Sequence, residues 1–198
     1  MVAKLFTDIL AKGVRAGHAP GKTQAARDWY RTTAKNSGKV NERKLVTDSK
    51  DNYKSRATIG DMFMYYYDPK GKKTLPYYDR FPLIFAVKPA KGGFYGINMH
   101  YLPPELRAKL MDAFHGITSN NNYSNTTKLQ MTYEVLQGAA KFRWFKPAFK
   151  HYLTSHVRSK LVKIDAADWD TALFLPTARF VGAGKSKVWA DSRKIIRG

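Results

Sequence analysis

The chain has 198 residues, no cysteine, and 35 Lys and Arg against 15 Asp and Glu, a formal net charge of +20. Disulfides, thiolate metal sites and cysteine nucleophiles are excluded, and 43% apolar with 14% aromatic residues exclude a wholly disordered polymer. A field of this sign draws polyanions. With no apolar run of about eighteen residues and no apolar leader, the chain is expected neither to span a membrane nor to carry a signal peptide.

The length suits one domain with appendages. Lys4 to Lys12 patterns as a short helix ended by Gly13, and the Gly17-His18-Ala19-Pro20-Gly21 run breaks regular structure. Thr23 is placed to cap a second helix through Lys35, with Ala26, Trp29, Tyr30 and Thr33 on one side. Lys39 to Ala57 sustains no apolar periodicity. Residues 1–59 therefore form an expected basic helical arm, and the texture changes at Gly60.

From there the spacing predicts an α+β core over residues 60–181: a small antiparallel β-barrel or sheet packed with several helices. Strands are expected near residues 61–67, 83–87 and 94–101, punctuated by Asp68-Pro69-Lys70-Gly71 and Lys88-Pro89-Ala90-Lys91-Gly92-Gly93. Pro103-Pro104-Glu105 starts a helix with Leu106, Leu110, Met111 and Phe114 on its apolar face. After a loop at Asn120 to Asn125, helices are expected over Thr127 to Ala140 and Pro147 to Ser159, the second with a stripe of Phe149, Tyr152, Leu153, His156 and Val157. Leu161 to Ile164 suits a returning strand, and Asp165 suits the cap of a short helix carrying Trp169, Leu173 and Phe174. Residues 182–198 form a basic tail with Val188 and Trp189 as its apolar anchor.

Chemistry-bearing motifs are sparse. Gly182-Ala183-Gly184-Lys185-Ser186 lacks the leading glycine of a phosphate loop, because Arg179 stands there, and Gly17 is one residue late before Gly21-Lys22-Thr23. His18, His100, His115, His151 and His156 show no metal-ligand spacing, and Asp165, Asp168 and Asp170 are explained by helix capping. No catalytic residue, cofactor or metal site is expected.

Two stretches stand out. Leu75-Pro76-Tyr77-Tyr78-Asp79-Arg80-Phe81-Pro82 joins ladder-blocking prolines to aromatics that want burial, which suits an ordered loop packed over the sheet, with Asp79 held by Arg80 or a backbone amide. Tyr77, Tyr78, Phe81 and Trp144 are the candidate structural or interface aromatics. In the second stretch Lys141, Arg143, Lys146 and Lys150 interleave with Phe142, Trp144, Phe145 and Phe149, a pattern that suits stacking on bases while cations follow phosphates. The same pattern suits an amphipathic segment with core aromatics and solvated cations. With Arg158 and Lys160 these four make the candidate polyanion-binding set.

Gly60-Asp61-Met62 through Leu75-Pro76-Tyr77-Tyr78-Asp79-Arg80-Phe81-Pro82-Leu83, Gly93-Phe94-Tyr95-Gly96-Ile97-Asn98-Met99-His100-Tyr101-Leu102-Pro103-Pro104 and Ser155-His156-Val157-Arg158-Ser159-Lys160 together resemble a family of small basic structural proteins of contractile-tail bacteriophages related to the T-even group. The resemblance spans about Gly60 to Pro176 and brings no catalytic residues. It implies a virion protein, located in the particle and in the host cytoplasm during assembly. The leading expectation is a non-enzymatic structural component of the tail, baseplate or neck that joins virion proteins with acidic surfaces. The alternative is a DNA-binding protein that protects or coats phage DNA ends.

Overall fold

The computed structural model describes residues 3–118, 133–138 and 143–198. Its centre is an open six-stranded antiparallel sheet in the order β1-β7-β2-β4-β5-β6: β1 Tyr53–Lys54, β2 Met62–Met64, β4 Leu83–Ala90, β5 Gly93–Asn98, β6 Phe149–Leu153 and β7 Leu161–Ile164. A separate short pair joins β3 Tyr78–Asp79 to β8 Phe180–Val181. The strands expected near 61–67, 83–87, 94–101 and 161–164 are all present, in an open sheet and not a closed barrel.

Both faces of the sheet are buried along β2 and the first half of β4, which is why Met62–Met64 and residues 83–87 read as continuous apolar runs. Side chains alternate across a strand. Met62, Met64, Leu83, Phe85, Ile97, Val162 and Ile164 therefore meet the helical layer, while Phe63, Ile84, Ala86, Phe94, Tyr152 and Leu161 form a second cluster with Tyr65 and Tyr67. Ala57, Ile59 and Val157 cover that second cluster from two irregular segments.

The helices are α1 Lys4–Arg15, α2 Gln24–Lys35, α3 Glu42–Asp48, α4 Pro104–Thr118, the helical residues 133–138 (α5), α6 Trp169–Phe174 and α7 Lys185–Arg197. Thr23 caps α2 by accepting the Ala26 N–H at 3.1 Å, as its position predicts. Pro104 opens α4, and Leu106, Leu110, Met111 and Phe114 are buried on it.

The expected N-terminal arm carries α1 to α3, and Phe6, Ile9, Tyr30, Ala34, Leu45 and Val46 belong to the same hydrophobic cluster as the sheet. The change of composition at Gly60 thus falls between the three N-terminal helices and the central strands β2, β4 and β5. Arg31 fastens α2 to α6 and α4, with Nε 2.7 Å from Asp170 and a terminal nitrogen 2.8 Å from Asp112. The His115 ring adds a 2.6 Å bond to the other Asp170 oxygen, so Asp170 serves a buried ionic cluster rather than a cap. The expected basic tail is α7, anchored by buried Val188, Ser192 and Ile196.

Three other expectations change. Gly13 does not end α1, which runs to Arg15; the glycine makes room for the Tyr30 ring, which a β-carbon would strike. The helix expected from Pro147 is strand β6, because Phe149, His151 and Leu153 alternate with Lys150 and Tyr152 along β5. Asp165 makes no side-chain cap; its carboxylate accepts from Asn52 at 3.1 Å. The expected loop at 120–125 and the rest of the helix expected over Thr127 to Ala140 lie outside the described residues.

Candidate nucleic-acid interface

The tyrosine-rich stretch before Phe81 is held by one buried carboxylate. Asp79 Oδ1 accepts the N–H groups of Phe81 at 3.1 Å and Arg179 at 3.2 Å, and Oδ2 accepts from Asn98 Nδ2 at 3.1 Å and His100 Nδ1 at 2.7 Å. Burial opposes ionisation of Asp79, but the His100 ring, Asn98 and the Phe81 N–H outweigh it and hold the carboxyl below the ordinary carboxylate value. Burial pushes His100 down against the pull of Asp79, so the ring is neutral, donates through Nδ1 and lies 3.3 Å from Thr177 Oγ1 through Nε2. An acid, an imidazole and a hydroxyl in this order resemble a nucleophile relay. Here Asp79 and Thr177 are each 4% exposed and His100 not at all, so the three groups are enclosed within the fold and pin its structure.

Its consequence lies one residue on. With Asp79 fixed inside and the Arg80 N–H donating to the Arg179 carbonyl at 2.8 Å, the Arg80 side chain is set on the surface. Two neighbouring segments are locked beside it. The Tyr67 N–H donates to the Arg80 carbonyl at 3.0 Å, and the Arg158 N–H donates to the Tyr66 carbonyl at 2.7 Å. The Ser159 hydroxyl accepts the Tyr66 N–H at 2.9 Å. From the other side α3, capped by Asn41 on the Lys44 N–H at 3.0 Å, brings Arg43.

Where these elements meet there is a cleft of about 460 Å³ lined by Arg43, Arg80 and Arg158 with Tyr66, Tyr67 and Asp68. A second groove of about 600 Å³ shares Ser159 with it and is bordered by Lys54, Arg56 and Lys160 over Ile59 and Phe94. All six cations are exposed. Among the described residues only Arg158 has a carboxylate in ion-pair range, Asp68 at 3.8 Å, and Asp68 already holds Lys72 at 2.9 Å. Two adjoining concave surfaces thus carry positive charge with little compensation, and concave low-dielectric walls focus such a field.

The sequence candidates divide around β6. Arg158 and Lys160 are on this face, after the strand. Arg143 and Lys146 are exposed before it, with the Arg143 guanidinium 6.0 Å from the Trp144 ring. Lys150 is half-buried, with Nζ 4.3 Å from the Tyr101 ring and its basicity lowered by burial. Lys141 lies outside the described residues. Trp144 is 46% exposed, at the edge of an apolar cavity with Leu110, Ile117 and Val135.

The other aromatics are packed to different extents. Phe149 stacks on Tyr95 with centroids 5.1 Å apart, Phe81 is buried, Tyr77 packs on Tyr101 and Phe180, and Tyr78 is half-buried in β3. Arg43, Lys54, Arg56 and Arg80 form no motif in the sequence because no short window contains them. The one local signal was the oddness of the stretch that holds Arg80.

Among the described residues no group of three His, Asp or Glu side chains is placed to hold a metal ion, and no helix is long and apolar enough to cross a membrane. No curated protein and no solved structure matches the chain. The family model described as phage T4 terminal DNA protecting protein matches residues 2–195, which extends the resemblance seen over Gly60 to Pro176 towards both ends. The chain belongs to the phage T4 terminal DNA protecting protein family.

Proposed function

We propose that this chain binds the ends of linear phage duplex DNA and shields them without catalysing a reaction. The observation that carries this function is membership of the family over residues 2–195. The physical means are the two adjoining cationic clefts, whose side chains are free to meet phosphates. The tail, baseplate or neck joint that leads the sequence-based expectations has less support, because the family description names terminal DNA. Residence in the particle next to acidic virion proteins is a second part of the proposal and rests on the +20 charge.

The test compares a short blunt duplex with the same sequence closed by a hairpin at each end, at a salt concentration of about 0.15 M, where nonspecific attraction is screened. The open duplex is expected to bind more tightly. Equal affinities contradict the proposal.

A further inference from the structure

We infer that the Arg43–Arg80–Arg158 cleft receives the phosphomonoester at a strand terminus of duplex DNA. This assignment rests on the end-binding function and adds the chemical group that marks an end. A monoester carries about −1.5 to −2 charges and three acceptor oxygens at neutral pH, whereas an internal phosphodiester carries one charge and is flanked by sugars on both sides. A concave site with cations on several walls suits a group that protrudes. A diester running along a duplex suits a flatter strip of cations.

The geometry fits the protruding group. The three guanidiniums arrive from three separate elements: α3, the turn after β3 and the segment before β7. Arg43 and Arg80 have neither a carboxylate nor a hydrogen-bond acceptor for their side chains among the described residues, and Arg158 is tied loosely to an Asp68 already engaged by Lys72. The planar forks of Arg43 and Arg80 are therefore available for paired bonds to phosphate oxygens, while Arg158 also donates to the Ser155 carbonyl at 3.5 Å. The Ser159 and Thr47 hydroxyls on the walls are otherwise engaged, Ser159 donating to the Lys160 carbonyl at 3.0 Å and Thr47 to the Lys44 carbonyl at 3.2 Å. Recognition falls to the arginines. Tyr66 packs against Phe81 with centroids 4.8 Å apart, and burial, then Glu42, raise its hydroxyl against the opposing pull of Arg80, Arg43 and Arg179.

The experiment titrates the full chain with four blunt duplexes of one sequence, bearing 5′-phosphate, 3′-phosphate, hydroxyl-only or hairpin-closed ends. Loss of the recognised phosphate is expected to weaken wild-type binding about tenfold, the scale of one or two charge-assisted bonds. The 5′ and 3′ arms identify which terminus is read. Arg43→Gln with Arg80→Gln is expected to erase the difference between phosphate and hydroxyl ends. Both side chains are exposed, so the fold is retained; Arg43→Lys with Arg80→Lys keeps the charge but not the fork and is expected to lose most of the discrimination as well. Equal wild-type affinity for phosphate and hydroxyl ends, with both preferred over closed ends, overturns the cleft assignment and leaves end binding standing. No preference for open over closed duplexes overturns both.

Discussion

The carboxylate of Asp79 lies 2.7 Å from Nδ1 of His100, and the pair is sealed beneath the surface that carries Arg80. Four donors converge on Asp79, two of them backbone N–H groups from Phe81 and Arg179, so the bond closes both the tyrosine-rich stretch and the β3–β8 pair.

Asp79→Asn turns one acceptor oxygen into a donor facing donors. It is expected to cost about 3 kcal/mol, the scale of losing a hydrogen bond to a buried charged group and leaving a donor unsatisfied, read as a lowered denaturation midpoint. The pH dependence has a definite sign. Both groups titrate lower in the folded chain than in the unfolded one. Their stabilisation is therefore complete above the unfolded values and is lost as pH falls, through about 6.5 for His100 and below about 4 for Asp79. The Asp79→Asn variant should lack the lower limb of that loss.

Asp168 behaves in the opposite sense. It is 6% exposed, and burial, then the nearby Asp165, raise it from 3.8 to about 6. A raised acid stabilises the fold only while protonated, so its contribution is present below the unfolded value and disappears as pH rises through about 6. Asp168→Asn is expected to gain about 1–2 kcal/mol at neutral pH, within the scale of a two-unit shift. The gain should vanish towards pH 4; thermal melts at the two pH values give the comparison.

Gly13 tests packing against helix propensity. In an exposed helix Gly→Ala gains about 0.8–1 kcal/mol, but here the new methyl would meet the Tyr30 ring, whose hydroxyl donates to the His18 carbonyl at 3.0 Å. Gly13→Ala should instead destabilise by about 1–3 kcal/mol, the usual cost of overpacking. Adding Tyr30→Phe should recover part of that loss by removing one of the opposing atoms. A more stable Gly13→Ala protein would contradict the packing described.

The α+β class, the cap of α2, the start of α4 and the main strands were legible because each rests on local chemistry: a threonine before a helix, a proline at its first turn, a β-prone run ended by Pro and Gly. Strand β6 was not. The spacing of Phe149, Tyr152, Leu153, His156 and Val157 fits a helical stripe, and only pairing with β5 decides for the strand. Helix α3 spans Glu42–Asp48, too short for its buried Leu45 and Val46 to show a period. The interface was half legible: Arg158 and Lys160 stood out by charge, but tertiary pairing of the 66–68 and 156–159 segments is what sets Arg158 beside Arg43 and Arg80. For Asp79 the stretch suits a pairing with Arg80 or with a backbone amide; the N–H groups of Phe81 and Arg179 hold it, and its partner His100 lies 21 residues further along the chain.

The central claim is that the protein recognises ends and does not coat duplex, and stoichiometry separates the two because ends do not multiply with length. Linear blunt duplexes of increasing length, each at the same molar concentration, are titrated with the protein at a salt concentration of about 0.15 M, and the amount needed to stop exonuclease digestion is recorded. The account predicts a constant requirement of a few chains per duplex at every length, lost when Arg43, Arg80, Arg158 and Lys160 are together replaced by Gln. A requirement that grows in proportion to length, as nonspecific phosphate binding demands, would contradict it.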